Sequence, residues 1–185
     1  MIEVEIKVQV RDENITGKKL TLLGFEKGNL VQEADYYFDN EAAGFRKSDQ
    51  ALRIRQCENL TTNENVVYMT YKGPKLDSIS MTRKELEMRV DDAETGKELL
   101  KQLGYSPVHP VIKQRQYFHK DEMTACLDQV EGLGDFLELE VIVENEEDRE
   151  EALDLVLRLL GELGYEKGDI IRTSYLSMLQ QNNKK

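Results

Sequence analysis

The chain opens with Met1-Ile-Glu-Val-Glu-Ile-Lys-Val-Gln-Val10, a strict alternation in which one whole parity is charged or polar. Ile2, Val4, Ile6, Val8 and Val10 fall on one face of a strand, and Glu3, Glu5, Lys7 and Gln9 fall on the other. The same pattern returns along the chain. Arg53 and Arg55 share a face, as do Arg83, Glu85 and Glu87, then Lys113 and Arg115, then Glu138 and Glu140. One such strand is ordinary: a half-buried strand with a wet face. Acids and bases in phase on strand after strand leave two arrangements. The stripes face water on an open sheet, or they converge on an interior lined by both signs of charge. Burying charges costs on the order of several kcal/mol each unless they are paired or solvated. The repetition of Arg-x-Arg, Lys-x-Arg and Glu-x-Glu in strand phase favours the converged arrangement, filled by a polyanion and a metal.

The remaining periodicity supplies the rest of such a fold. Strands are expected near 2–10, 34–39, 51–57, 65–72, 81–90, 111–119, 123–130 and 135–143. Asp12 is placed to cap a helix running to about Leu23. Asp91 or Asp92 starts a second helix through Leu99, Leu100 and Leu103. A third runs from about Glu146 to Leu163, with Leu153, Val156, Leu157 and Leu160 at helical spacing. A short last helix covers about Tyr175 to Gln181. The phrases Leu23-Gly-Phe25, Leu103-Gly-Tyr105 and Leu163-Gly-Tyr165 read either as helix stop signals or as traces of an internal duplication. Loops fall near 58–64 and 73–80.

These elements predict an α+β chain: an eight-stranded antiparallel closed β-barrel with a charged interior and flanking helices. A barrel of that size can just enclose one small ligand. The 185 residues read as one domain over 1–181 with a frayed tail at 182–185. The net charge of −11 argues against nucleic acid and against anionic membranes as general partners. It does not oppose a nucleotide bound through a local basic cluster. No apolar run is long enough to span a bilayer, and the acidic, strand-like start predicts no secretory leader. Cys57 and Cys126 are far apart and fit two reduced core thiols of a cytoplasmic protein. His109 and His119 are too few for a zinc site with them. His119 is in phase with Lys113 and Arg115, so it falls either in the interior or at the rim.

The charged lining divides by chemistry. Lys7, Arg53, Arg55, Lys72, Lys113 and Arg115 can neutralise a chain of phosphates, Arg bidentately and Lys as a point charge. Glu3, Glu5, Glu138 and Glu140 offer hard oxygens for Mg²⁺ or Mn²⁺, and Asp128 in Cys126-Leu-Asp-Gln-Val130 adds another. A glycosidase pair of carboxylates would leave the six bases without a task. No Gly-x-x-x-x-Gly-Lys loop is present, so a triphosphate site here must be built from side chains.

The ordered set resembles a known family. Glu3-x-Glu5-x-Lys7 near the N-terminus is similar to the signature of the CYTH superfamily, the triphosphate tunnel metalloenzymes. Gln32-Glu-Ala-Asp-Tyr-Tyr-Phe38 resembles its second strand, Leu52-Arg-Ile-Arg55 its Arg-x-Arg strand and Thr70-Tyr-Lys-Gly-Pro74 its lysine strand, while Arg83-x-Glu85-x-Glu87, Lys113-x-Arg115, Asp128 and Glu138-x-Glu140 resemble the rest of its lining, in order and across almost the whole chain. Ser174-Tyr-Leu-Ser-Met-Leu179 looks most like the class IV adenylyl cyclase branch. The resemblance implies an eight-stranded tunnel binding triphosphate with divalent cations. Glu5 and Glu138 or Glu140 are then the leading metal ligands among Glu3, Glu5, Asp128, Glu138 and Glu140. Lys7, Arg53, Arg55, Lys72, Arg83, Lys113 and Arg115 become the substrate binders. Glu5, Lys7, Arg55 and Lys113 would carry catalysis.

The implied reaction is conversion of ATP to cyclic AMP and pyrophosphate. The alternatives are hydrolysis of inorganic, thiamine or nucleoside triphosphate, and non-catalytic binding of triphosphate or polyphosphate. A homodimer is left open by the sequence.

Overall fold

The computed structural model describes residues 1–42 and 44–182. Its strands are β1 (Ile2–Gln9), β2 (Glu26–Asp39), β3 (Ala51–Asn59), β4 (Asn65–Lys75), β5 (Arg83–Val90), β6 (Ser106–Pro107), β7 (Val111–Lys120), β8 (Met123–Val130) and β9 (Gly134–Val143). Its α-helices are α1 (Glu13–Leu22), α2 (Ala93–Gln102), α3 (Arg149–Glu162) and α4 (Tyr175–Asn182). The expected frayed tail therefore starts inside α4 at Asn182, and residues 183–185 lie outside the described part.

The helices begin and end where their chemistry allows. Asp12 Oδ1 accepts from the Ile15 amide at 3.0 Å, and Asp92 Oδ2 accepts from the Thr95 amide at 2.6 Å. Each cap satisfies an amide that has no partner within its own helix. Gly24, Gly104 and Gly164 all have φ near +90°. That turn lets the amides of Phe25, Tyr105 and Tyr165 reach back to Leu20, Leu100 and Leu160. A shared stop motif thus accounts for the three similar phrases.

The strands pair antiparallel in the order β3-β4-β5-β1-β9-β8-β7-β2, and a further β2–β3 pairing closes them into an eight-stranded barrel. β6 adds to the outer edge of β2. β2 is the long closing strand: its first part pairs with β7 and its second with β3, and the two partners overlap at 31–35. It begins at Glu26, well before the expected 34. Glu26-Lys-Gly-Asn29 has no strand-forming composition of its own; pairing with β7 recruits it. The β1–β5 seam is short, with Ile2 opposite Lys84 and Glu3 opposite Arg83. Beyond it the β1 edge is completed by the Met81 amide on the Glu5 carbonyl (2.8 Å) and the Ile171 amide on the Lys7 carbonyl (2.7 Å).

The main hydrophobic core lies outside the barrel, not within it. Val4, Ile6, Leu137 and Leu139 on the outer faces of β1 and β9 pack beneath Val156, Leu159 and Leu160 of α3 and Leu20 of α1. Each such burial contributes roughly 1.5–3 kcal/mol. Ile54, Leu100 and Ala93 form a second cluster under α2. A third joins Tyr175 and Leu179 of α4 to Val111, Val130 and Phe136 at one end of the barrel. With the apolar parity committed to the helices, the charged parity must point inward.

Candidate functional site

The inward parity surrounds a cavity of about 300 Å³. Glu3, Glu5, Lys7, Arg53, Arg55, Lys72, Arg83, Lys113, Arg115, Glu138 and Glu140 all line it. Lys7 and Lys113 are each only 2% exposed, which is rare for lysine and demands partners. Those partners come in three groups.

In the first, β7 and β8 place Lys113 and Arg115 against Asp128. Arg115 grips it bidentately, Nε and Nη2 each at 2.6 Å from one oxygen, and Lys113 Nζ lies at 2.8 Å. The Tyr175 hydroxyl donates to the same carboxylate at 3.1 Å. Arg115 also donates to Glu138 and lies 3.4 Å from Glu140. Lys7 sits 3.9 Å from Glu138 and 4.1 Å from the centre of the Tyr175 ring. In the second, Asp35 of β2 holds Arg55 at 2.6 and 2.8 Å and Arg53 at 3.2 Å, while Glu33 reaches Arg55 at 3.1 Å and Lys113 at 3.3 Å. In the third, Lys72 bridges Glu85 at 2.5 Å and Glu3 at 3.0 Å.

Not every base is spent on protein partners. The Nε of Arg53 is buried with no hydrogen-bond partner among the described residues. Arg53 lines the cavity, so this donor is available to an anion there.

The acids show the complementary surplus. Glu3, Glu5 and Glu140 bring one oxygen each to within 4.8 Å of one another. Burial and the charges of Glu138 and Glu3 push the Glu5 carboxyl up to about 7. Burial also raises Glu140, and the charges of Glu3, Glu138 and Glu5 outweigh Arg115 to bring it to about 8. Burial with Glu3 nearby carries Glu85 to about 8 despite Lys72. Burial raises Glu3 too, but Lys72 and a hydrogen bond from Glu85 bring it down to about 2. Glu33 is likewise overcome by Arg55, Lys113 and Arg115 and falls to about 2. Near neutrality Glu85 and Glu140 therefore favour the protonated form, and Glu5 lies near its midpoint. A set of close, hard, mutually repelling oxygens is the donor chemistry that Mg²⁺ or Mn²⁺ requires, so the residues fit a divalent ion.

The other expected site residues lie outside the trio. Asp128, expected from the sequence as a metal ligand, accepts from Lys113, Arg115 and Tyr175. Glu138 is engaged by Arg115 and Lys7. Arg83 donates to the carbonyls of Asp49 (2.5 Å) and Gly73 (2.8 Å) and to the Asp49 carboxylate, so it ties the segment before β3 to β4 beside the cavity. His119 is exposed and stacks on Tyr117 at the rim. Glu33 and Asp35, the anchors of the second group, were given no role by the sequence reading. The signal was present: Glu33, Asp35 and Tyr37 share one parity. Tyr175 could not be found that way, because it reaches the tunnel from a helix.

A family model for the CYTH domain matches residues 1–175. The chain belongs to the CYTH family. Its sequence is 39% identical, over 96% of this chain and 98% of the relative, to the protein named "Putative adenylate cyclase MJ0240" from Methanocaldococcus jannaschii. It is 26% identical to "Adenylate cyclase CyaB" from Aeromonas hydrophila, over 97% of this chain and 90% of that one. Among solved structures, the PH1819 protein of Pyrococcus horikoshii OT3 superposes with a TM-score of 0.88 at 36% identity, over 97% of this chain and 99% of that one. HpAC1 from Hippeastrum, described as having a dominant triphosphatase activity, shares the fold with a TM-score of 0.63 at 17% identity, over 97% and 96% of the two chains. Within this CYTH barrel the described residues contain no helix long and apolar enough to cross a membrane.

Proposed function

We propose that this CYTH protein is a metal-dependent enzyme acting on a nucleoside triphosphate, and that it converts ATP to cyclic AMP and pyrophosphate. One observation carries the reading. A single cavity joins buried bases, a carboxylate trio and a set of apolar and uncharged side chains. Phe45, Val108, Leu176 and Gln180 supply that last part, beside Asp39, Arg46 and Asp49. A phosphate chain alone would use the charged part; a nucleoside would use the rest. The naming of the M. jannaschii and A. hydrophila relatives supports the cyclase form.

In this reading Arg53, Arg55, Lys72, Lys113, Arg115 and Lys7 receive the phosphate oxygens. Their carboxylate partners fix them before substrate arrives, so little reorganisation accompanies charge development. Glu3, Glu5 and Glu140 would hold the divalent ion, with Glu5 and Glu140 releasing their protons as it binds. When bound, the ion supplies Lewis-acid stabilisation of phosphate oxygens. The ribose 3′-hydroxyl attacks the α-phosphorus, the bond to the bridging oxygen of the β-phosphate breaks, and pyrophosphate leaves as the hydroxyl proton passes to solvent. Arg115 and Lys113, locked by Asp128, would offset the charge that builds on the leaving group.

The same basic lining would serve attack of water on the γ-phosphorus, since none of its contacts depends on the nucleoside. Incubation with ATP and Mg²⁺ or Mn²⁺, followed by separation of products, tests the proposal. Cyclic AMP with pyrophosphate supports it. ADP with orthophosphate replaces it by hydrolysis, and unchanged ATP leaves a binding protein.

A further inference from the structure

The C-terminal helix supplies a polar edge to the cavity that phosphate chemistry does not use. Tyr175 and Leu179, four apart, press α4 onto Val111, Val130 and Phe136. Ser177 and Gln180 of α4, three apart, line the cavity together with Ser174 just before the helix and with Tyr175 and Leu176. Ser174 and Ser177 satisfy each other, hydroxyl to hydroxyl at 3.0 Å, with the Ser177 amide on the Ser174 oxygen at 3.2 Å. Gln180 is not satisfied. Its Oε1 is buried with no hydrogen-bond partner among the described residues.

A buried amide oxygen without a donor is costly, and such an atom beside a cavity points to a ligand donor. The surroundings say which kind. Val108 and Leu176 line the same cavity, as does Phe45, whose ring stacks on Tyr105 at 5.8 Å and meets Tyr71 edge-on at 6.0 Å. Asp39, Arg46 and Asp49 line the cavity too, but Phe45, Val108 and Leu176 beside an unpaired acceptor fit a heteroaromatic ring carrying an amino group better than another phosphate.

We infer that Gln180 is the residue that selects the base, accepting a hydrogen bond from the exocyclic amino group of adenine. The side-chain amide matches the amino donor and adjacent ring-nitrogen acceptor of adenine in one plane. The inference rests on the nucleoside triphosphate reading above and deepens it: specificity resides on α4, while phosphate affinity resides in the barrel.

The test measures binding by calorimetry for the non-hydrolysable α,β-methylene forms of ATP and of purine riboside triphosphate, which lacks only the amino group. Inorganic tripolyphosphate is the third ligand. The parent protein should prefer the adenine compound by roughly 3–10-fold, the size of one net hydrogen bond. Gln180→Leu should erase that preference and leave tripolyphosphate affinity unchanged, which also shows that the barrel is intact. Gln180→Met serves if the leucine variant fails to fold. A parent that binds the two nucleotides equally, or a variant that keeps the preference, overturns the assignment. Product analysis with ATP stays separate: retained discrimination without turnover defeats the enzyme reading alone.

Discussion

Asp35→Asn isolates what holds the basic wall together. The parent carboxylate accepts Arg55 at 2.6 and 2.8 Å and Arg53 at 3.2 Å, all within the barrel. The amide keeps the shape but removes the charge, and it turns one acceptor oxygen into a donor facing guanidinium donors. Removing one partner of a buried ion pair costs about 3–5 kcal/mol, because the remaining charge is left uncompensated. Here two guanidinium groups depend on one carboxylate, and Glu33 offsets part of the loss at Arg55 only. With a urea slope of about 2 kcal/mol/M, the unfolding midpoint should fall by about 2 M. The freed arginines should also bind inorganic tripolyphosphate more tightly than in the parent when no metal is present. Urea unfolding followed by far-UV circular dichroism, with and without tripolyphosphate, measures both. A variant as stable as the parent would refute the claim that Asp35 neutralises the arginine wall.

Three further outcomes follow from the same network. Glu5→Gln should stabilise the metal-free protein at pH 8 by roughly 1–3 kcal/mol while weakening Mn²⁺ binding; a variant destabilised at pH 8, or one binding Mn²⁺ normally, contradicts the trio. Stability should also depend on pH in two windows. Glu5, Glu85 and Glu140 have folded values of about 7, 8 and 8, above the ordinary 4.5, so the folded state binds the extra protons and stability falls as pH rises from about 4.5 to 8. Glu3 and Glu33, depressed to about 2, contribute stability above 4.5 that is lost as pH falls toward 2. Melting profiles across pH 2–9 check both, and saturating Mg²⁺ should flatten the upper window; a flat metal-free profile between pH 5 and 8 would contradict the raised carboxyls. Finally, tripolyphosphate with Mg²⁺ at a hundredfold excess over its dissociation constant should stabilise the fold by about 2.7 kcal/mol, and orthophosphate by much less; equal thermal shifts would count against a triphosphate site.

Most of this architecture was legible because strand parity is a local property. Ile2, Val4 and Ile6 against Glu3, Glu5 and Lys7 already state which face packs and which does not, and the four helices lie within a few residues of their expected spans. What parity could not state was pairing. Which carboxylate meets which base depends on register, so the contacts of Asp128 with Lys113 and Arg115 on β7 were not legible from the sequence. Glu33 and Asp35 escaped for a related reason. The strand that carries them starts at Glu26 in a polar stretch shaped by β7, and its expected start at 34 split the pair. The α4 side of the cavity was least legible, since Tyr175 and Gln180 arrive from a helix distant in sequence, and the Asp39–Gln50 connection beside them carries no periodic pattern.

The most direct measurement is a crystal structure with the α,β-methylene analogue of ATP and Mn²⁺, using the anomalous signal of manganese. The structure of this chain predicts an anomalous peak among Glu3, Glu5 and Glu140. Phosphate oxygens should lie on Arg53, Arg55, Lys113 and Arg115, and the base should sit beside α4. Manganese bound elsewhere, or phosphates outside the barrel, would contradict the proposed site.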